Sequence, residues 1–168
     1  MERYTIAILV RNQFGVLNRV TSMFRRRLFN ITCLTVSETE SPDYSRITVL
    51  FDGEEVTKQQ LTNQLYKLPD VISITELDEK TTVSCELMLI KVVNSAETRE
   101  ESRSAADAFE AKIVDYSREA LVMQVTGDSR RIDDFVNLMR DFGILEICRT
   151  GLVSLERGNT TISRGMLV

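Results

Sequence analysis

Asn12-Gln13-Phe14-Gly15-Val16-Leu17-Asn18-Arg19-Val20-Thr21-Ser22-Met23-Phe24-Arg25-Arg26-Arg27-Leu28-Phe29-Asn30-Ile31 is the stretch on which the reading of the chain turns. Val16, Val20, Met23, Phe24 and Leu28 fall at helical spacing, so a helix is expected from about Val16 to Arg27. Asn12 and Gly15 stand just before it, where the first backbone N–H groups have no partner within the helix. Those groups and the positive end of the helix dipole suit an anion such as a carboxylate. Asn30-Ile31 then opens an extended run to Val36. One helix start and one strand start could thus frame a small pocket. Asn and Gly ahead of a helix also serve as plain cap and turn, and the residues alone leave both readings open.

Outward from this stretch the chain alternates. Tyr4 to Val10 is a strand dense in apolar residues, and Ile31–Val36 and Ser45–Phe51 are expected to form a hairpin around Ser41-Pro42-Asp43. A second helix follows Asp52-Gly53, with Val56, Leu61, Leu65 and Leu68 inward, and stops before Pro69. Val71–Leu77 is the next strand. The order βαββαβ is that of a ferredoxin-like sandwich, two helices on one face of a four-stranded antiparallel sheet. Asp78-Glu79-Lys80 is a polar joint, and the pattern then repeats: a strand over Val83–Val93, a polar helix from Glu97 to about Ala108, a hairpin over Phe109–Tyr116 and Leu121–Val125, a helix with Ile132, Phe135, Val136 and Met139 inward, and a strand at Ile144–Cys148. Gly53 aligns with Gly127, Leu61 with Phe135, Leu65 with Met139 and, after a one-residue gap, Ile74 with Ile147. The fold class is α+β with two such domains, residues 1–78 and 79–168. The polar tail from Leu152 is expected to fray or to dock on a partner.

Composition narrows the function classes. The 168 residues carry a formal charge of −4, which disfavours non-specific binding to nucleic acid or an anionic membrane. No apolar run approaches a membrane span. Met1-Glu2-Arg3-Tyr4 shows no secretory signal pattern, so a cytoplasmic location is expected. With no histidine, Ser–His and Cys–His nucleophiles are impossible, and no catalytic residue is assigned. Cys33, Cys85 and Cys148 lie far apart in apolar runs and read as small core hydrophobes rather than metal ligands. Asp133-Asp134 and Glu54-Glu55 read as acids at helix starts. Arg25-Arg26-Arg27 falls in a last helical turn, where cations are favoured, and the sheet aromatics of an RNA-binding domain are missing.

The ordered motifs resemble the small regulatory subunits of acetolactate (acetohydroxyacid) synthase, whose N-terminal part is an ACT domain. Asn12-x-x-Gly15-Val16-Leu17-x-Arg19-Val20, Met23-Phe24, Asn30-Ile31-x-x-Leu34-x-Val36 and Ser45-Arg46-Ile47-Thr48-Val49 carry it in the first domain. Glu86-Leu87-Met88-Leu89-Ile90-Lys91-Val92, Arg149-Thr150-Gly151 and Leu155-Glu156-Arg157-Gly158 carry it in the second, ACT-like domain. The resemblance implies a non-catalytic chain that binds a branched-chain amino acid, usually valine, at a homodimer interface of ACT domains. It further implies feedback inhibition and activation of a catalytic large subunit holding thiamine diphosphate, Mg²⁺ and FAD. This chain itself would hold no cofactor and no metal. Carried over, Asn12 and the Gly15-Val16-Leu17 backbone hold the ligand's polar end, and Asn30-Ile31 come from the neighbouring subunit. The family usually has Gly where this chain has Leu28, so the helix exit is expected to differ, and Cys33 replaces a usual Ser. The alternative is a free-standing ACT-type sensor acting on transcription or another enzyme; the second-domain motifs favour the small subunit.

Overall fold

Alternation along the leading strand builds the first layer. β1 is Glu2–Arg11, α1 Val16–Arg26, β2 Asn30–Glu38, β3 Tyr44–Gly53, α2 Glu55–Leu65 and β4 Val71–Glu76. The computed structural model describes residues 2–26 and 29–163, with only the backbone of Thr57. Arg27, the Leu28 helix exit and residues 164–168 of the tail therefore lie outside the described residues. The sheet order is β2-β3-β1-β4, with β1 antiparallel to both neighbours. Ile6 pairs with Val49 and Ile8 with Ile47, and these side chains share one face with Tyr4, Val10 and Phe51. Val16, Val20 and Phe24 from α1 and Leu61 and Leu65 from α2 close over that face. Phe24, Phe29 and Phe51 meet edge to face, with centroids 5.5–6.1 Å apart. Val56, expected inward, is exposed in the first turn of α2.

The other face of this sheet is covered as well. Ala7 and Leu9 point away from the helices, yet both are buried. The tail, which includes β9, Val153–Glu156, folds back on this first unit, and its Leu155 and Ile162 line a cavity together with Leu9. The Leu152 N–H donates to Cys33 Sγ (3.2 Å), and Arg46 Nη2 donates to the Ser154 carbonyl (2.7 Å). The Ser73 hydroxyl donates to the Ile162 carbonyl (2.7 Å). The expectation of a frayed or partner-bound tail is thus corrected for its described part. The two compact units are residues up to Val83 plus those from Leu152 onward, and Ser84–Gly151, which differs from a division at 78/79. A cavity of about 420 Å³ remains under the tail, lined by Leu9, Glu38, Glu40, Arg46, Leu155 and Ile162, among others.

The second unit repeats the plan. β5 is Thr82–Val93, α3 Arg99–Ala108, β6 Lys112–Tyr116, β7 Ala120–Gly127, α4 Ser129–Met139 and β8 Ile144–Arg149. Its order, β6-β7-β5-β8, is that of the first sheet element for element. Phe135 and Met139 are buried where the aligned Leu61 and Leu65 are. Ile147 pairs with Ile90 as Ile74 pairs with Ile8. Even the register shifts recur, between Leu9 and Val10 and between Lys91 and Val92. Two sequence expectations change here. Asp133-Asp134 sit inside α4, and the acid at its start is Asp128, whose side chain accepts the Arg131 N–H at 2.8 Å. Cys85 and Cys148 are exposed, and Cys33 alone of the three is partly covered.

One ion cluster ties β5, β8 and α4. The Glu86 side chain is 4% exposed and accepts from Nε and Nη2 along one edge of the Arg149 guanidinium, and Arg149 Nη1 reaches Asp133 at 2.8 Å. The hydrogen bonds to Glu86 hold Arg149 well above its ordinary pKa, against the opposing effect of burial. Arg149→Ala strands a buried carboxylate and is expected to cost about 3 kcal/mol, read as a lower urea midpoint. Replacing Glu86 and Arg149 together by Leu is expected to cost less than Arg149→Ala alone, because no charge is left unpaired.

Candidate functional site

The loop between β1 and α1 is held by two backbone bonds where it leaves β1. The Arg11 N–H donates to the Asp70 carbonyl (2.9 Å) and the Asn12 N–H to the Asp43 carbonyl (2.7 Å). Asn12 Nδ2 donates to the Pro42 carbonyl (3.0 Å) and to Glu38 Oε1 (3.1 Å). Asn12 therefore pins the loop to the β2–β3 turn. Its Oδ1 has no partner among the described residues.

Gly15 ends the loop at φ +79°, a conformation in which an L side chain costs of order 1 kcal/mol. The first helical bond runs from the Arg19 N–H to the Gly15 carbonyl (3.0 Å). Gly15 offers no side chain to cap the helix, and the first turn of α1 contains no acid. The other helices supply their own negative group: Glu55 in α2, Glu100 and Glu101 in α3, and the Asp128 cap of α4. At the α1 start the Val16 N–H bonds back to the Gln13 carbonyl (3.3 Å), and no acidic side chain stands in the first turn beyond it. The Val16 side chain is buried in the core, so only its backbone faces the loop, whereas Leu17 is exposed.

Asn30 and Ile31 are elsewhere in this chain. Asn30 pairs with Asp52 at the start of β2, while Glu38, beside Asn12, pairs with Ser45 at its end. The two ends are about 26 Å apart at roughly 3.3 Å per residue. The Ile31 side chain packs partly buried against the first core. One chain therefore does not bring the six expected residues together: Asn12, Gly15, Val16 and Leu17 form one half, and Asn30 and Ile31 the other.

The internal repeat shows which features are structural. Asn94 follows β5 as Asn12 follows β1. Its N–H donates to the Glu119 carbonyl (2.9 Å), and its Nδ2 to the Ser117 carbonyl, both in the β6–β7 turn. Pinning the hairpin turn is thus a shared duty of the two asparagines. The segments beyond them differ. Asn94 Oδ1 accepts from Arg99 Nε at 2.9 Å, and Thr98, not glycine, precedes α3. The sequence motifs do not single out Asn94, although it follows Val92-Val93 as Asn12 follows Val10-Arg11. Among the described residues no group of three or more His, Cys, Asp or Glu is placed to hold a metal ion, and no helix is long and apolar enough to cross a membrane.

Comparison with known proteins agrees with this architecture. Residues 6–73 match a family model described as the AHAS small subunit-like ACT domain, and residues 85–158 one described as the small subunit of acetolactate synthase. A probable acetolactate synthase small subunit from Archaeoglobus fulgidus is 45% identical over 157 residues, 94% of this chain and 98% of that one. The acetolactate synthase small subunit of Bacillus subtilis is 43% identical over 154 residues, 91% of this chain and 90% of that one. The crystal structure of the small subunit from Thermotoga maritima has a TM-score of 0.88 at 35% identity, covering 95% of this chain and 100% of that chain. With likeness running through both repeats, the chain belongs to the family of acetolactate synthase small, regulatory subunits built on ACT domains.

Proposed function

We propose that this chain binds a branched-chain amino acid, valine first, between the ACT domains of two copies, and so confers feedback inhibition on a catalytic subunit that it also activates. The observation that carries this reading is the placement of the two half-sites at opposite ends of β2. β2 is an edge strand, and Leu34 and Val36 on it are exposed. Leu17 and the fully exposed Phe14 lie at the start of α1. Antiparallel pairing of β2 with its copy joins the open edges and covers apolar surface. It also carries Asn30 of the partner subunit to the Gly15 end, and a two-fold makes two such sites.

The chemistry of that seam suits an amino acid. The N–H groups at the front of α1 and the Asn12 carbonyl oxygen meet the charged ends of the zwitterion. A ligand that touches both copies has different contacts in different dimer arrangements, so binding shifts their equilibrium. The catalytic subunit, not this chain, would hold thiamine diphosphate, Mg²⁺ and FAD and condense pyruvate into an acetohydroxy acid. The assembly would be cytoplasmic.

Isothermal titration of the full chain with valine is expected to give saturable heat, with Kd roughly between micromolar and millimolar. Aspartate should give none, and silence with valine, leucine and isoleucine alike removes the ligand assignment. Val36→Glu places like charges across the proposed strand pair, so sedimentation should show a shift to monomer and titration a loss of valine binding. Gly15→Asp puts a carboxylate where the ligand's belongs and a side chain at φ +79°. In the enzyme reconstituted with its catalytic subunit, it is expected to raise the valine concentration for half-inhibition at least about tenfold, the equivalent of 1.4 kcal/mol.

A further inference from the structure

We propose that Arg19 is the side chain that recognises the ligand's carboxylate, and that Asp70 holds it in place; this rests on the amino-acid reading above. Arg19 stands one turn into α1 and folds back over the helix start. Its Nε and Nη2 both reach Asp70 Oδ2, at 2.8 and 2.6 Å. The Asp70 side chain is 12% exposed, so the anchor is largely shielded from water, whereas Arg19 is 44% exposed. Asp70 is itself fixed, because its carbonyl accepts the Arg11 N–H of the same loop.

With two of its nitrogens committed, the planar guanidinium can present Nη1 in only one direction. Nη1 lies 3.4 Å from where a Cβ on Gly15 would stand, at the mouth of the loop. Among the described residues it has no acceptor. A donor fixed before binding forfeits little entropy when it meets an anion, and its hydrogen bond to a carboxylate is charge-assisted.

The second repeat supplies the other end of the ligand. There Asn94 Oδ1 accepts a cationic N–H from Arg99. At Asn12 the same oxygen is open, and the Glu38 carboxylate lies against the asparagine's amide nitrogen at 3.1 Å. An ammonium group belongs on that side and a carboxylate on the Arg19 side. The site is thus polarised as an α-amino acid is. α3, by contrast, begins with Arg99, Glu100 and Glu101, supplying both charges from within the chain. The second unit's counterpart is accordingly self-filled, and the ligand is confined to the first.

The test compares valine with valinamide, which keeps the ammonium and side chain but lacks the carboxylate charge. Titrations use the full chain, with urea midpoints recorded for every variant. The wild type should prefer valine. Arg19→Gln should bind valine at least about tenfold more weakly, while its affinity for valinamide changes less than about twofold, so that the preference collapses. If Arg19→Gln does not fold, Asp70→Asn leaves the guanidinium in place but releases it, and a reduced preference for valine is again expected. A preference unchanged in the variant that folds, or equal losses for both ligands, overturns the role of Arg19 while leaving valine binding standing. No binding of valine by the wild type overturns the amino-acid reading and this proposal with it.

Discussion

Asn12 bonds the β2–β3 turn twice, through its backbone N–H and its side-chain Nδ2, and the placement of the β1–α1 loop depends on that attachment. It stops the chain leaving β1 from drifting and sets the point at which α1 begins. The buried Val16 then fixes the rotation of the helix on the sheet. Gly15 completes the turn in a conformation that costs an L residue of order 1 kcal/mol, and it also keeps the loop mouth open. The Asn12 side chain donates, turn carbonyls accept, and the Gln13 and Val16 N–H groups bond within the loop itself.

The same attachment at Asn94 makes the two repeats a natural comparison. Both sheets have one strand order, both helices pack on one face, and both asparagines pin a hairpin turn. They differ in what lies beyond the pin. In the second unit Arg99 fills the asparagine's acceptor and acids occupy the helix start. In the first, the asparagine's acceptor is unmet by the described residues and no acid stands in the first turn of the helix. Duplication of the fold therefore did not duplicate the loop chemistry, because a few loop residues vary where the core does not constrain them.

The first sheet carries cover on both faces, and this bears on how it can be used. Helices close one face, and the Leu152–Ser163 part of the tail closes the other through Cys33, Arg46 and Ser73. Neither face is then available as a broad apolar surface. Of its two edge strands, β2 and β4, β2 carries the exposed Leu34 and Val36, and exposed Leu17 and Phe14 lie at the start of α1. A second copy that extends the sheet is the simplest cover for such an edge.

Much of this was legible in the chain itself. Helical spacing at Val16, Val20 and Phe24, the alternation of strands and helices, and the aligned Gly53/Gly127 and Leu65/Met139 reflect local periodicity, which each segment carries in its own residues. The run Ile6-Ala7-Ile8-Leu9-Val10 was legible as an apolar strand, but its burial on both faces came only with the tail folded back over the sheet. Contacts between residues far apart in the chain were a different matter. The return of the tail to the first sheet, the Arg19–Asp70 pair and the Glu86–Arg149–Asp133 cluster join residues 16 to 119 positions apart, and no local pattern encodes such pairings. Residue types and spacing thus determined the elements and the Asn12–Gly15 turn into the first helix. Tertiary packing alone decided that the two half-sites stand at opposite ends of one strand, because strand length and sheet order, not sequence proximity, set that separation.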